Sequence, residues 1–182
     1  MGPNQSYLKP LNQVTEPDRR NCYYVVERAD GKVGPLSLED LHLWASRITL
    51  EPCVPEPVRE HFAQAQNLAV YSWFYFPFNV TAQLLAFASV ELALRFRLQP
   101  KAKAPKFKTM IRQAVRLGLI KDEGFMVAQG RNYETEPPYV EVLIETMPSL
   151  RNDLAHGSPI LHNQALSSIQ ICADFINQLF SR

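Results

Sequence analysis

Residues 68 to 90, LAVYSWFYFPFNVTAQLLAFASV, carry no charged side chain over 23 positions. A stretch this apolar must leave water, either into a bilayer or into a protein core. It is long enough to span a bilayer, and basic residues follow it, as they follow membrane segments. Pro77, Asn79, Thr81 and Gln83 interrupt it near its middle, where a membrane helix is least tolerant of polar groups. The stretch is therefore read as two core helices meeting at a Pro-containing bend, with no membrane partner.

The flanking residues extend this to a mainly α fold. One helix is expected from about Pro57 to Phe74 and a second from about Val80 to Leu98. Leu84, Leu85, Phe87, Ala88, Val90, Leu92 and Leu94 cover nearly the whole circumference of the second, which suits the middle of a bundle. A basic linker, QPKAKAPK, precedes a third helix from Phe107 to Leu119, ended near Gly118. The segment EGFMVAQGRNYETEPP reads as a polar loop. Pro137 or Pro138 opens a fourth helix with Val140, Leu143 and Ile144 inward. Pro148 is expected to restart the chain as a short helix that stops on Gly157. Ser158 and Pro159 supply an N-cap and first-turn proline for a last helix to Phe180. Its stripe would be Leu161, Ala165, Ile169, Cys172, Ile176 and Leu179, with His162 in a structural role.

Upstream, Pro3, Pro10 and Pro17 mark an irregular arm. Tyr23 to Val26 reads as a strand, Asp30-Gly31 as a turn, and Ser37 with Asp40 as the start of a short helix. The chain thus divides into an arm and small strand/helix appendage over residues 1–55 and a helical bundle over 56–182. Trp44 and Trp73 are assigned to the core rather than to base stacking. At 182 residues, 46% hydrophobic and 20% charged, one domain with a real core is expected.

Net charge is +1, but its distribution is uneven. Nine of the 19 Lys and Arg lie between Leu92 and Lys121, with no Asp or Glu among them. This asymmetry suggests a polyanion-binding face centred on Lys106, Lys108, Arg112 and Arg116; a merely solvated face is the alternative. Cys22, Cys53 and Cys172 form no CxxC pair, so neither a disulfide framework nor a zinc knuckle is suggested. With no apolar h-region near Met1, the expected setting is cytoplasmic.

The densest polar chemistry lies in SLRNDLAHGSP, residues 149 to 159. Asn152 and His156 are four apart and share a helical face. Arg151 and His156 are five apart, about 140° around a regular helix, so a second copy of the chain or a distorted helix is needed to bring them together. These residue types suit RNA cleavage without a metal. A 2′-hydroxyl must lose a proton to attack the adjacent phosphate, and the leaving 5′-oxygen must gain one. Histidine does either near neutrality. The crowded phosphorane needs a fixed cation, which a guanidinium fork supplies. An adjacent amide can orient the imidazole. Asp153 and His156, three apart, lack a third nearby ligand, so neither a metal nor another cofactor is assigned.

Arg151-Asn152-x-x-x-His156 resembles the R-polar-x-x-x-H motif of HEPN domains, helical-bundle proteins of which many are metal-independent endoribonucleases. The resemblance runs from about Pro57 to Arg182. ASVELALRFRL, with Glu91, is similar to an early family helix that often carries an acidic residue, and FKTMIRQAVRLGLI to the helix after it. It implies that Arg151 steadies phosphate, that His156 is base or acid, and that Asn152 holds the imidazole. It also implies a composite cleft in a homodimer, RNA as substrate, and an antitoxin or other regulatory partner in a defence or toxin–antitoxin setting. Glu91, mid-helix among apolar residues, either holds Arg151 or faces solvent. Asp153 is a cap or salt-bridge partner. Two other readings stay open: a HEPN-like module that binds RNA or nucleotide without cutting, and an interaction protein docking through its N-terminal unit.

Overall fold

The computed structural model describes residues 8–100, 105–132, 134–157 and 160–181. Six α-helices dominate it: α1 (Leu38–Arg47), α2 (Glu56–Tyr71), α3 (Phe78–Leu98), α4 (Phe107–Arg116), α5 (Tyr139–Ala155) and α6 (Ala165–Phe180). A two-stranded antiparallel sheet, β1 (Val25–Glu27) with β2 (Val33–Pro35), precedes them, with Val26 opposite Gly34. The protein is a helical bundle with a small strand-containing appendage.

The uncharged stretch folds as its composition requires. α2 ends at Tyr71, the chain bends through Pro77, and α3 begins at Phe78. Among the described residues no helix is long and apolar enough to cross a membrane. α3 packs against α2, α4, α5 and α6, which explains why its apolar residues run round the helix. Alanines mark the tightest seams: Ala65 and Ala69 on α2 and Ala82, Ala86 and Ala93 on α3 are all buried. Small side chains let neighbouring helix axes approach closely. From the other side α6 supplies Ile169, Cys172, Phe175, Ile176 and Leu179.

Polar side chains fix the connections. Ser37 and Asp40 form a capping box at α1: the Asp40 N–H donates to Ser37 Oγ and the Ser37 N–H to the Asp40 carboxylate. Arg28 then grips that carboxylate, holding it below the usual carboxylate range and tying the hairpin to α1. The appendage shares the bundle's core through Ile48 and Val54. Asp18 and the buried Asn21 bond the α2–α3 bend at Phe76, Ser72 and Trp73. Gly118, at φ 69°, closes α4 with the Leu119 N–H on the Ala114 carbonyl and its own N–H on that of Val115.

Several expectations need correction. Tyr23 and Tyr24 precede the strand, which starts at Val25. The 123–138 segment is not simply polar: two 3-10 turns, Asp122–Gly124 and Met126–Ala128, bury Phe125 against Tyr139 and Phe175. Pro148 does not begin a helix. It lies inside α5, a single helix of 17 residues, and its ring is buried. Proline leaves the Ile144 carbonyl without its helical partner, and the packing of Leu143, Met147 and Pro148 into the bundle compensates. Ser158 and Pro159 lie outside the described residues, as do Pro3, Lys101 and Lys103. α6 starts only at Ala165, so Leu161 is exposed and off the stripe, and His162 accepts from the Gln164 N–H ahead of the helix. Trp44 and Trp73 are half-buried rather than core. Cys172 is buried, whereas Cys22 and Cys53 are exposed.

The start of α5 is capped from a distance. Pro138 at its N-cap offers no side-chain acceptor, and the buried Asp122 carboxylate takes the N–H groups of Tyr139 (2.6 Å) and Val140 (2.9 Å). Asp122→Ala should cost about 2 kcal/mol by leaving these donors unpaired. Urea unfolding measures the loss, and Asp122→Asn, which keeps one acceptor, should recover part of it. An unchanged midpoint for the alanine variant would remove Asp122 from this role.

Candidate functional site

α5 carries the Arg151–His156 segment, and its packing on α3 and α4 decides what each residue meets. Glu91 and Arg95 stand one turn apart on α3. Arg151 reaches Glu91 from α5, with Nη2 donating to Glu91 Oε2 at 3.0 Å. Arg95 Nη2 donates to the other oxygen, Oε1, at 2.8 Å. Glu91 therefore holds Arg151. Its side chain is only 16% exposed, against 35% for Arg151 and 42% for Arg95. A carboxylate so withdrawn from water needs compensation, and the two guanidinium groups supply it. Arg151 Nη1 also contacts Asn152 Oδ1 at 3.3 Å. Asn152 Oδ1 is thus engaged with Arg151, and among the described residues no hydrogen bond joins Asn152 to the His156 ring.

Beside this cluster an open groove of about 660 Å³ runs between α3, α5 and the start of α4. Arg95, Lys106, Lys108 and Arg151 line it together with Glu91 and Glu145, so basic side chains outnumber acidic ones. Asn152, Ser149 and the edge of the mostly buried Pro148 also line it from α5.

The basic run is only partly available to a polyanion. Lys108, Arg112 and Arg116 recur every four residues and form one face of α4. Lys108 and Arg112 both pair with Glu145 on α5, Arg112 at 3.0 Å. The hydrogen bond from Lys108 holds the Glu145 carboxyl below the usual carboxylate range. Lys106 stands at the N-cap position of α4 without a side-chain cap bond and is exposed at the groove, while Arg116 is exposed but does not line it.

His156 lies apart from Arg151. α5 is helical through Ala155, and His156 is its exposed C-cap residue, with its N–H on the Asn152 carbonyl. Gly157, at φ 88°, then takes the left-handed conformation that stops the helix. Neither His156 nor Asp153, which is also exposed, lines the groove. One chain therefore gathers Arg151, Asn152, Glu91, Lys106 and Lys108 but leaves His156, Asp153, Arg112 and Arg116 outside. Leu150, Ile160 and Leu161 expose apolar surface near this end of α5.

Two participants were not singled out from sequence. Arg95 was counted only within the basic run, although its four-residue spacing from Glu91 is a readable helical ion pair. Glu145 carries no local signal, because its partners lie on another helix. Among the described residues, no three of His, Cys, Asp and Glu gather as metal ligands would. Compared with family models, curated proteins and solved structures, the chain matches none.

Proposed function

We propose that this chain is a metal-independent endoribonuclease of the HEPN type, acting on RNA in the cytoplasm as a symmetric homodimer. One observation carries the reading: Arg151 is held across two helices by Glu91 at a basic groove, while His156 stands exposed at the end of the same helix. In the proposed reaction one His156 takes the proton of a ribose 2′-hydroxyl. The O2′–P bond forms, the P–O5′ bond breaks, and the imidazolium so formed returns its proton to the departing oxygen, while the guanidinium comes from Arg151 of the partner subunit. Arg151 stabilises the charge on the phosphorane. Asn152 aligns the motif, and Asp153 acts as a surface charge near the helix end. Leu150, Ile160 and Leu161, each exposed, offer apolar surface for a contact between copies at this end. An antitoxin or similar regulator is the proposed partner in the cell.

A second reading draws on the divergence of Arg151 and His156 within one chain. A monomer lacks an assembled pair, which suits a HEPN-like module that binds RNA, nucleotide or protein without cutting. Incubating the purified protein with a mixed RNA pool in EDTA and mapping the ends separates the two. Cutting that leaves 2′,3′-cyclic phosphate and 5′-hydroxyl ends is expected. Intact RNA, or cutting only after a divalent ion is added, would overturn the nuclease reading.

A further inference from the structure

We propose that Arg95 and Arg151 together form a two-arginine seat for an RNA phosphate, with Glu91 as its fixed counterion; this rests on the RNA-directed reading above. A single Arg–Glu pair is neutral and a poor attractor of phosphate. Here one carboxylate serves two guanidinium groups, one from α3 and one from α5, so the cluster keeps an excess positive charge at the groove wall. The excess is durable. Glu91 is largely withdrawn from water, and both of its oxygens are engaged, so neither arginine can be neutralised by it alone.

The donors are also sufficient. A guanidinium carries five N–H groups. The bonds to Glu91 and Asn152 occupy two on Arg151, and the bond to Glu91 occupies one on Arg95. Both arginines are more than a third exposed and line the groove, which leaves donors for a ligand there. The two planar forks already flank one small anion, the Glu91 carboxylate, and a guanidinium fork pairs with a phosphodiester as readily as with a carboxylate. Because α3 and α5 are packed helices, the seat is set before RNA arrives. Lys106, exposed on the same groove, extends the positive wall. Lys108 and Arg112 add less, because Glu145 already answers them.

The test measures binding of a fluorescent single-stranded RNA that is 2′-O-methylated throughout and so cannot be cut. Salt titrations compare wild type with Arg95→Gln, Arg95→Lys and Lys121→Gln, the last an exposed member of the basic run outside the groove. Arg95→Gln should weaken binding about tenfold at low salt and flatten the log–log salt slope by about 0.7, the share of one phosphate on a single strand. Arg95→Lys should bind more weakly than wild type with its slope kept, since a point charge replaces the fork. Lys121→Gln should stay within about twofold of wild type. Wild-type affinity and slope in Arg95→Gln would overturn the seat; if that variant does not fold, wild-type affinity in Arg95→Lys does so. Failure of the nuclease reading looks different: salt-dependent RNA binding that needs Arg95, with no cutting of unmodified RNA, leaves the seat standing. A wild-type protein that does not bind RNA overturns both.

Discussion

His156→Ala is expected to lower RNA cleavage by about 10³-fold, within the range for loss of a positioned acid or base, while the fold persists. The side chain is exposed at the helix end and belongs to no buried cluster. An exposed ring outside the core leaves little stability to lose, about 0.5 kcal/mol or less. Stability and activity therefore separate cleanly at this residue. Arg151→Ala should abolish cleavage as well, but with a structural signature. It removes one of two partners from Glu91, leaving Arg95 alone with a largely buried carboxylate. Because Arg151 is itself about a third exposed, that loss should stay near 1 kcal/mol. RNA cleavage rates paired with thermal unfolding measure both effects. Undiminished cleavage in either folded variant would refute the assignment, and unfolding of His156→Ala would move that residue to a structural role.

Where local chemistry decides local structure, the sequence was legible. The Ser37–Asp40 capping box, the Gly118 and Gly157 helix stops and the all-round apolar α3 each rest on residues a few positions apart. Pro148 misled because a proline is locally a good first helical residue. Its toleration inside α5 depends on packing with Leu143 and Met147 that no local window reveals. Phe125 misled in the opposite sense. It follows Asp122, Glu123 and Gly124 and opens a run of only four apolar residues, yet it packs beside Tyr139 and Phe175, residues brought there by α5 and α6.

The site divides along the same line. Arg151, Asn152 and His156 were visible as a motif because they are contiguous, whereas the Glu91–Arg151 bond joins residues 60 apart. Both fates of Glu91 were open from its sequence context, and only the packing of α5 on α3 chooses between them. The basic run shows the limit of charge counting. Sequence registers Lys108 and Arg112 as free cations, but a single carboxylate on α5 answers both. Position relative to the groove, rather than the number of charges, separates Arg95 and Lys106 from Arg116.

The second large effect is a recovery of activity. Arg151→Ala and His156→Ala chains, each inactive alone, are expected to regain cleavage when mixed under conditions that exchange subunits. Within one chain the two side chains leave a regular helix about 140° apart, and His156 does not line the groove that holds Arg151. A two-fold operator can instead set Arg151 of one copy beside His156 of the other. The mixed dimer contains one such intact pair, made in trans, so its activity should rise well above either parent while staying below wild type. A second mixture fixes the interpretation. A chain carrying both substitutions, combined with wild type, yields a heterodimer whose only Arg151 and His156 lie on the same chain. If the working pair is made in trans, that heterodimer is inactive, and the doubly substituted chain poisons wild type as it is titrated in. If the pair is made in cis, the heterodimer keeps activity and the first mixture gains none. Sedimentation at the assay concentration completes the test, because a monomer that still cuts RNA would require α5 itself to distort between Arg151 and His156 until the two side chains meet.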